Sequence, residues 1–183
     1  WNLGDFPFLY VQLANFCPWR EEPEVSGWAR LRDEQRKVLQ VPNTGMAVTI
    51  DVGMYNDLHP WDKKTVGERL ALWAQNKAYG EDIVCSGPIY NSYKVEGDKI
   101  RLYFDHIGSG LISKDGEELK TFEICGKDKI FKEGKAEIDG ETVLVHSQEV
   151  KEPGIVRYAW ADNPEEANLY NKEGLPASPF ISK

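Results

Sequence analysis

The sequence contains no apolar run approaching the ~20 residues that a membrane-crossing helix requires, which argues against an α-helical span. Cysteine is scarce: Cys17, Cys85 and Cys125 show no metal-ligand spacing, and an odd number cannot pair completely within one chain. The thiols therefore leave the redox compartment open. Basic residues are in the minority, 22 Lys and Arg against 30 Asp and Glu. The resulting net charge of −8 repels a phosphodiester backbone, so a nucleic-acid partner is disfavoured. Internal repeats and low-complexity segments are missing as well. The chain begins at Trp1 without a signal-peptide pattern, as either a mature protein or a piece of a longer one would.

What is present describes a globular protein. Hydrophobic residues make up 41% of the 183 positions and charged residues 28%, enough to build a real core. Six Trp, eight Tyr and seven Phe are a rich aromatic supply. Such side chains suit β-rich cores and carbohydrate-facing surfaces, and the core is the simpler use.

The two halves differ in texture. Residues 8–13 form a compact apolar run of strand length. Ser26 then stands where it can cap a helix whose inward face is expected to carry Trp28, Leu31, Gln35 and Val38, widened by Leu39. Residues 45–52, rich in β-branched side chains, read as a second buried strand. After a loop over 53–61, Asp62 caps a second helix with an inward stripe of Val66, Leu70, Trp73 and Ala74, stopped by Gly80. Strand, helix, strand, helix is the pattern of a layered α/β unit with a parallel sheet. Two strands are too few for such a sheet to stand alone, so an upstream portion is expected.

From Cys85 onward the pattern is all-β. Turn signals at 96–99, 114–117, 126–128 and 139–140 separate strand-like segments at 100–104, 122–124, 136–138 and 143–145. Turns every ten or so residues suggest a β-sandwich. Residues 163–183 carry Pro164, Pro176 and Pro179 and are expected to form an extended, packed loop.

The sharpest local feature is Gly53-Met54-Tyr55-Asn56-Asp57-Leu58-His59-Pro60, lying after a parallel strand and before a helix. In open α/β sheets, ligands bind outside the carboxyl ends of the strands. A histidine there, beside a carboxylate, can take the proton of a serine hydroxyl, while the carboxylate sets the ring tautomer and stabilises the imidazolium. Pro60 restrains the backbone beside His59. The plainer reading of the same tripeptide is a solvated histidine in a helix-entry loop.

Four stretches decide between these readings: residues 8–15 (FLYVQLAN), 57–60 with 63–72 (DLHP, KKTVGERLAL), 79–90 (YGEDIVCSGPIY) and 156–180 (VRYAWADNPEEANLYNKEGLPASPF). Together they resemble the bacterial sialate 9-O-acetylesterases, a branch of the SGNH hydrolases, over nearly the whole chain. The resemblance implies a serine esterase that uses no metal or other cofactor and removes O-acetyl groups from sialic acid or a related acetylated sugar. It also implies a secreted or periplasmic location. His59 matches the family's catalytic base and Asp57 the acidic residue close before it.

The chain departs from the family pattern in two places. Many SGNH hydrolases place the acid three residues before the histidine, and that position holds Asn56. Asp57, Asn56 or a backbone carbonyl therefore remain open as the group that orients the ring. The family also carries its nucleophile in a Gly-Gln-Ser-Asn segment and oxyanion-hole residues in a Gly-Glu-Ser-Asn segment, both upstream of the histidine; neither occurs here.

No serine in the chain has a convincing nucleophile context. Ser109 lies between two glycines, but no helix pattern follows it, and a flexible loop is the simpler reading. Ser26 is a helix cap, and Ser86 and Ser147 sit in or beside strands. His106 and His146 lack metal-ligand spacing and read as structural. Trp61 adjoins the His59 loop and reads first as a packed aromatic. Arg157, Tyr158 and Trp160 alternate along a strand; an Arg can clamp a carboxylate, but a surface or core role is simpler. Glu165 and Glu166 form a solvated turn.

The resulting expectation is an α/β chain in two parts. Residues 1–84 form the C-terminal part of an SGNH-type three-layer hydrolase domain carrying the catalytic histidine, and residues 85–183 form a sandwich-like domain. Such a chain is inactive without the nucleophile, which the N-terminal portion of the same protein would supply. The competing expectations are a carbohydrate-binding module and a structural piece of a glycan-degrading assembly.

Overall fold

A computed structural model describes residues 4–17 and 26–183. Strand β1 (Phe8–Val11) is followed by helix α1 (Gly27–Lys37), strand β2 (Thr44–Ala47) and helix α2 (Lys63–Tyr79). β1 and β2 pair in parallel, Phe8 opposite Thr44 and Val11 opposite Ala47. Parallel neighbours need a long crossover, which the connection through α1 provides. All four residues of β2 are buried, as expected of a strand covered on both faces.

Both helices begin and end on local chemistry. The Ala29 N–H donates to the Ser26 hydroxyl at 2.8 Å, and the Thr65 N–H donates to Asp62 Oδ1 at 3.0 Å. Gly80, at φ 72°, closes α2 in the left-handed conformation that a Cβ would disfavour.

The face of α1 differs from expectation. Leu31 is 49% exposed and Val38 38%, while Ala29, Arg32 and Asp33 are buried. Arg32 explains the rotated face, because its burial is compensated by four backbone carbonyls. Nε donates to Leu13 O, Nη1 to Ala161 O, and Nη2 to both Ala14 O and Asp162 O, at 2.7–2.8 Å. Helix α2 presents Trp73 inward with Val66, Leu70 and Ala74 half-buried, as anticipated, but Arg69 is also buried.

Beyond α2 the chain is β-rich: β3 (Ile89–Glu96), β4 (Lys99–Asp105), β5 (Leu111–Ser113), β6 (Phe122–Cys125), β7 (Lys132–Glu133), β8 (Lys135–Asp139), β9 (Thr142–His146), β10 (Ile155–Tyr158), β11 (Leu169–Asn171) and β12 (Phe180–Ile181). They form two four-stranded antiparallel sheets, β3-β4-β9-β8 and β12-β10-β6-β7, with β11 and β5 as a separate pair. Ile100, Leu102 and Phe104 point inward at the two-residue period of a strand. They share one core with Ile124, Val145, Val156 and Phe180, and with Met46, Val48 and Ile50 from the segment that begins in β2. The chain is thus a mixed α/β protein with several sheets.

The C-terminal segment corrects the expectation of an extended loop: it contains β11 and β12. Phe180 is fully buried, stacking on Tyr90 at 4.6 Å and meeting Phe104 edge-on at 5.7 Å. Gln12 Nε2 donates to Ser178 Oγ at 2.8 Å, tying this segment to the end of β1. All three cysteines are free thiols, with Cys85 and Cys125 buried. Among the described residues, no helix is long and apolar enough to cross a membrane.

Candidate active site

Beyond the carboxyl ends of β1 and β2, the segments that follow the two strands meet at Asn15 and Gly53. The Gly53 N–H donates to Asn15 Oδ1 at 2.6 Å, and Asn15 Nδ2 donates to Asn163 Oδ1 at 2.8 Å. A Cβ on Gly53 would lie 2.1 Å from the Asn15 carbonyl oxygen, so the close approach requires glycine. Just before it, Asp51 receives two bonds from Arg69 of α2, at 2.6 and 2.8 Å, and one from the Tyr170 hydroxyl of β11 at 3.1 Å. Burial raises the Asp51 pKa, but the Arg69 hydrogen bonds and charge outweigh it and hold the carboxyl below its usual value. Arg69 also donates to Val48 O at 2.7 Å.

From this anchored base the loop over residues 53–61 turns back on itself, with Met54 and Asp57 forming an isolated antiparallel bridge. Asp57 organises the turn. Its Oδ1 accepts the His59 backbone N–H at 2.8 Å, an aspartate-to-backbone turn two residues on, and its Oδ2 accepts the Trp61 indole N–H at 3.3 Å. These donors hold the exposed Asp57 carboxyl below its ordinary pKa, the His59 N–H first and the Trp61 indole second.

The same Oδ1 lies 3.4 Å from His59 Nδ1, slightly longer than a formed hydrogen bond but close enough to orient the ring. Asn56 is exposed and makes no side-chain hydrogen bond among the described residues. The His59 side chain is 82% exposed. A neutral imidazole with its Nδ1–H toward Asp57 leaves Nε2 with a free lone pair, the atom that accepts a proton in general-base catalysis. Among the described residues, no serine hydroxyl is hydrogen-bonded to this ring.

The other candidates are engaged elsewhere. Glu173 takes the Ser109 hydroxyl at 2.6 Å and its N–H at 2.9 Å, fixing that glycine-flanked turn. Arg157 is buried in a two-bond pair with Glu123, at 2.6 and 2.8 Å, with its guanidinium over the Phe131 ring. It is therefore committed within the fold. His106 meets Trp73 edge-on, and His146 ends β9. Trp61 is 76% exposed, contrary to the packed role anticipated, because its indole is held by Asp57 at the surface. Glu165 accepts from Asn163 Nδ2 at 2.7 Å.

Sequence reasoning missed the Asp51–Arg69–Tyr170 network beneath the loop. Arg69 lay inside the Val-Gly-x-Arg segment already singled out, but nothing local to α2 tells a buried arginine from a solvated one. Also unanticipated is a cleft of about 470 Å³ bordered by Asn15, Asp51, Gly53, Lys114 and Tyr170, beside the root of the His59 loop. A larger hollow of about 590 Å³ lies away from this loop, between β5, β7, β8 and β9. It contains none of the residues of the His59 site.

No family model matches the chain. The sialate O-acetylesterase of Mus musculus is 30% identical, over 97% of this chain and 36% of the relative. That of Homo sapiens is also 30% identical, over 97% and 37%. The crystal structure of a carbohydrate acetylesterase from Xanthomonas citri superposes with a TM-score of 0.91 at 46% identity, covering 97% of this chain and 41% of that one. The chain thus spans about a third of the length of the curated relatives it matches.

Proposed function

Because this chain is a relative of the sialate O-acetylesterases along almost its whole length, we propose that it carries the general base of a serine carbohydrate esterase. Its substrate class is an O-acetylated sialic acid or a related acetylated sugar. The observation that carries the reading is the exposed His59 ring, with Asp57 Oδ1 at its Nδ1, on the loop following a parallel strand. On this reading residues 1–84 are the C-terminal part of an SGNH-type three-layer domain, and residues 85–183 are a sandwich-like portion packed against it. The nucleophile and oxyanion donors come from an upstream portion, and this chain alone is inactive. A secreted or periplasmic protein fits such a glycan substrate.

The reaction runs in two halves. An upstream serine hydroxyl attacks the acetyl carbonyl as His59 Nε2 takes its proton. The tetrahedral intermediate collapses to an acetyl-serine, and the sugar oxygen leaves with the proton from His59. Water then attacks the acetyl group while His59 takes one of its protons. Acetate departs as the serine regains a hydrogen. Asp57 holds the imidazole in the tautomer that leaves Nε2 free and steadies the imidazolium between the two transfers.

The binding-module alternative receives less support from the surface. From Cys85 onward the most exposed aromatic, Tyr93, is only 37% exposed, and Tyr103, Phe131 and Trp160 are half-buried, which does not favour an aromatic platform for a sugar ring there. The deciding experiment combines this chain with the upstream portion and measures acetate release from 9-O-acetylated sialic acid. Activity that depends on both parts and disappears in His59→Ala supports the assignment. Activity that survives His59→Ala overturns it.

A further inference from the structure

We propose that the cleft at the root of the His59 loop is the subsite for the carboxylate of an anionic sugar, with Lys114 as its cationic contact. This deepens the esterase reading by naming what fixes the substrate beside the base. The cleft's volume, about 470 Å³, falls in the range typical of small-ligand sites. Its position relative to the base follows from the backbone. Gly53 lines the cleft, Met54 follows it, and Met54 is bridged to Asp57. One Cα step plus one antiparallel pairing places the Asp57 backbone within about 9 Å of the Gly53 Cα.

The charges in the cleft are unequally satisfied. Asp51 is matched by Arg69, and Lys120 by Asp115 at 3.3 Å. Lys114 has no carboxylate within ion-pair reach among the described residues. Its ammonium instead donates to the Tyr170 hydroxyl at 3.2 Å and lies 4.8 Å above the Tyr170 ring. The Tyr170 proton is committed to Asp51, so the hydroxyl can only accept from Lys114. This chain of bonds, from buried Arg69 through Asp51 and Tyr170, orients the ammonium and leaves its remaining N–H groups for an incoming anion. Asn168 is held at its amide nitrogen by Ser113, Asp115 and the Glu118 carbonyl, and forms a fixed wall. The opposing groups in the cleft are Glu165, which accepts only the Asn163 amide at 2.7 Å, and Glu166, exposed and without a hydrogen bond among the described residues. These two carboxylates suit sugar hydroxyls, leaving Lys114 as the contact for the substrate carboxylate.

The test is binding rather than turnover, so its outcome is independent of the nucleophile. N-acetylneuraminic acid and its methyl ester, which removes only the negative charge, are titrated into this chain and followed by ligand-observed NMR. The free acid should bind about tenfold more tightly, as one charge-assisted contact supports. Lys114→Gln should erase that preference and Lys114→Arg should retain most of it. Both substitutions are at an exposed side chain, and an unchanged amide spectrum checks the fold. Equal binding of acid and ester by the native chain, no binding of either, or a preference that survives Lys114→Gln overturns the subsite. Failure of the esterase reading is scored separately, by acetate release that persists in His59→Ala.

Discussion

The Asp57 carboxylate serves His59 twice through one oxygen, accepting the backbone N–H at 2.8 Å while lying 3.4 Å from Nδ1 of the same residue. The residue that folds the turn therefore also faces the ring, and the two tasks can be separated by substitution. Asp57→Asn keeps an oxygen for the backbone bond but loses the charge beside the imidazole. In the assembled esterase it should lower kcat by at least about tenfold with little change in stability. Asn56→Ala should leave kcat within about twofold. The reverse order of the two effects would reassign the orienting role to Asn56.

His59 itself contributes little to folding. Its side chain is 82% exposed, so in the assembled esterase His59→Ala should change the unfolding free energy by no more than about 0.5 kcal/mol while lowering acetate release by at least about a hundredfold. Urea titration and a coupled acetate assay on the same sample check both halves. A strongly destabilised variant would show that the ring has a structural task.

The Arg69–Asp51 pair makes the base of the loop sensitive to acid. A carboxyl whose pKa is lowered on folding contributes stability that is full above the unfolded value, near 3.9. That contribution is lost as pH falls through the folded value. Native chain should therefore lose stability below about pH 4 more steeply than Asp51→Asn, in urea titrations at stepped pH. At pH 7, Asp51→Ala should cost about 3 kcal/mol, because it strands a buried guanidinium. Parallel pH profiles for native protein and Asp51→Asn would refute the linkage.

Arg32 should be more demanding than its neutral neighbours on α1. Arg32→Met removes donors from four carbonyls, at Leu13, Ala14, Ala161 and Asp162, and should cost about 3–5 kcal/mol. Arg32→Lys should recover only part of this, since one ammonium cannot reproduce the planar fork. Leu31→Ala, on the exposed face, should cost less than about 1 kcal/mol. Chemical denaturation of the three variants orders them; equal costs at positions 31 and 32 would contradict the observed face.

Gly53→Ala tests the contact between the segments that follow β1 and β2. The added carbon meets Asn15 backbone, which cannot rotate aside, so a loss of about 1–3 kcal/mol is expected. Gly67→Ala, on α2 with open space around it, should be neutral or slightly stabilising by comparison. Thermal melts of the two variants distinguish them.

Features set by neighbours in sequence were legible without coordinates. Ser26 and Asp62 cap helices through their own side chains, Gly80 ends one through its backbone freedom, and the apolar run at 8–13 contains β1, while that at 45–52 overlaps β2 only at residues 45–47. The His59 loop falls where that order places it. Tertiary structure alone decided which side of α1 faces inward, because the periodicity of Trp28, Leu31, Gln35 and Val38 is equally compatible with a face rotated by one residue. The rotation depends on carbonyls of Ala161 and Asp162, more than a hundred residues away. The same holds for Arg69, for the short strands at 169–171 and 180–181, and for the choice of Asp57 over Asn56 as the side chain facing His59. Local patterns record what a residue prefers with its neighbours, but burial of a charge is settled by whether distant groups arrive to satisfy it.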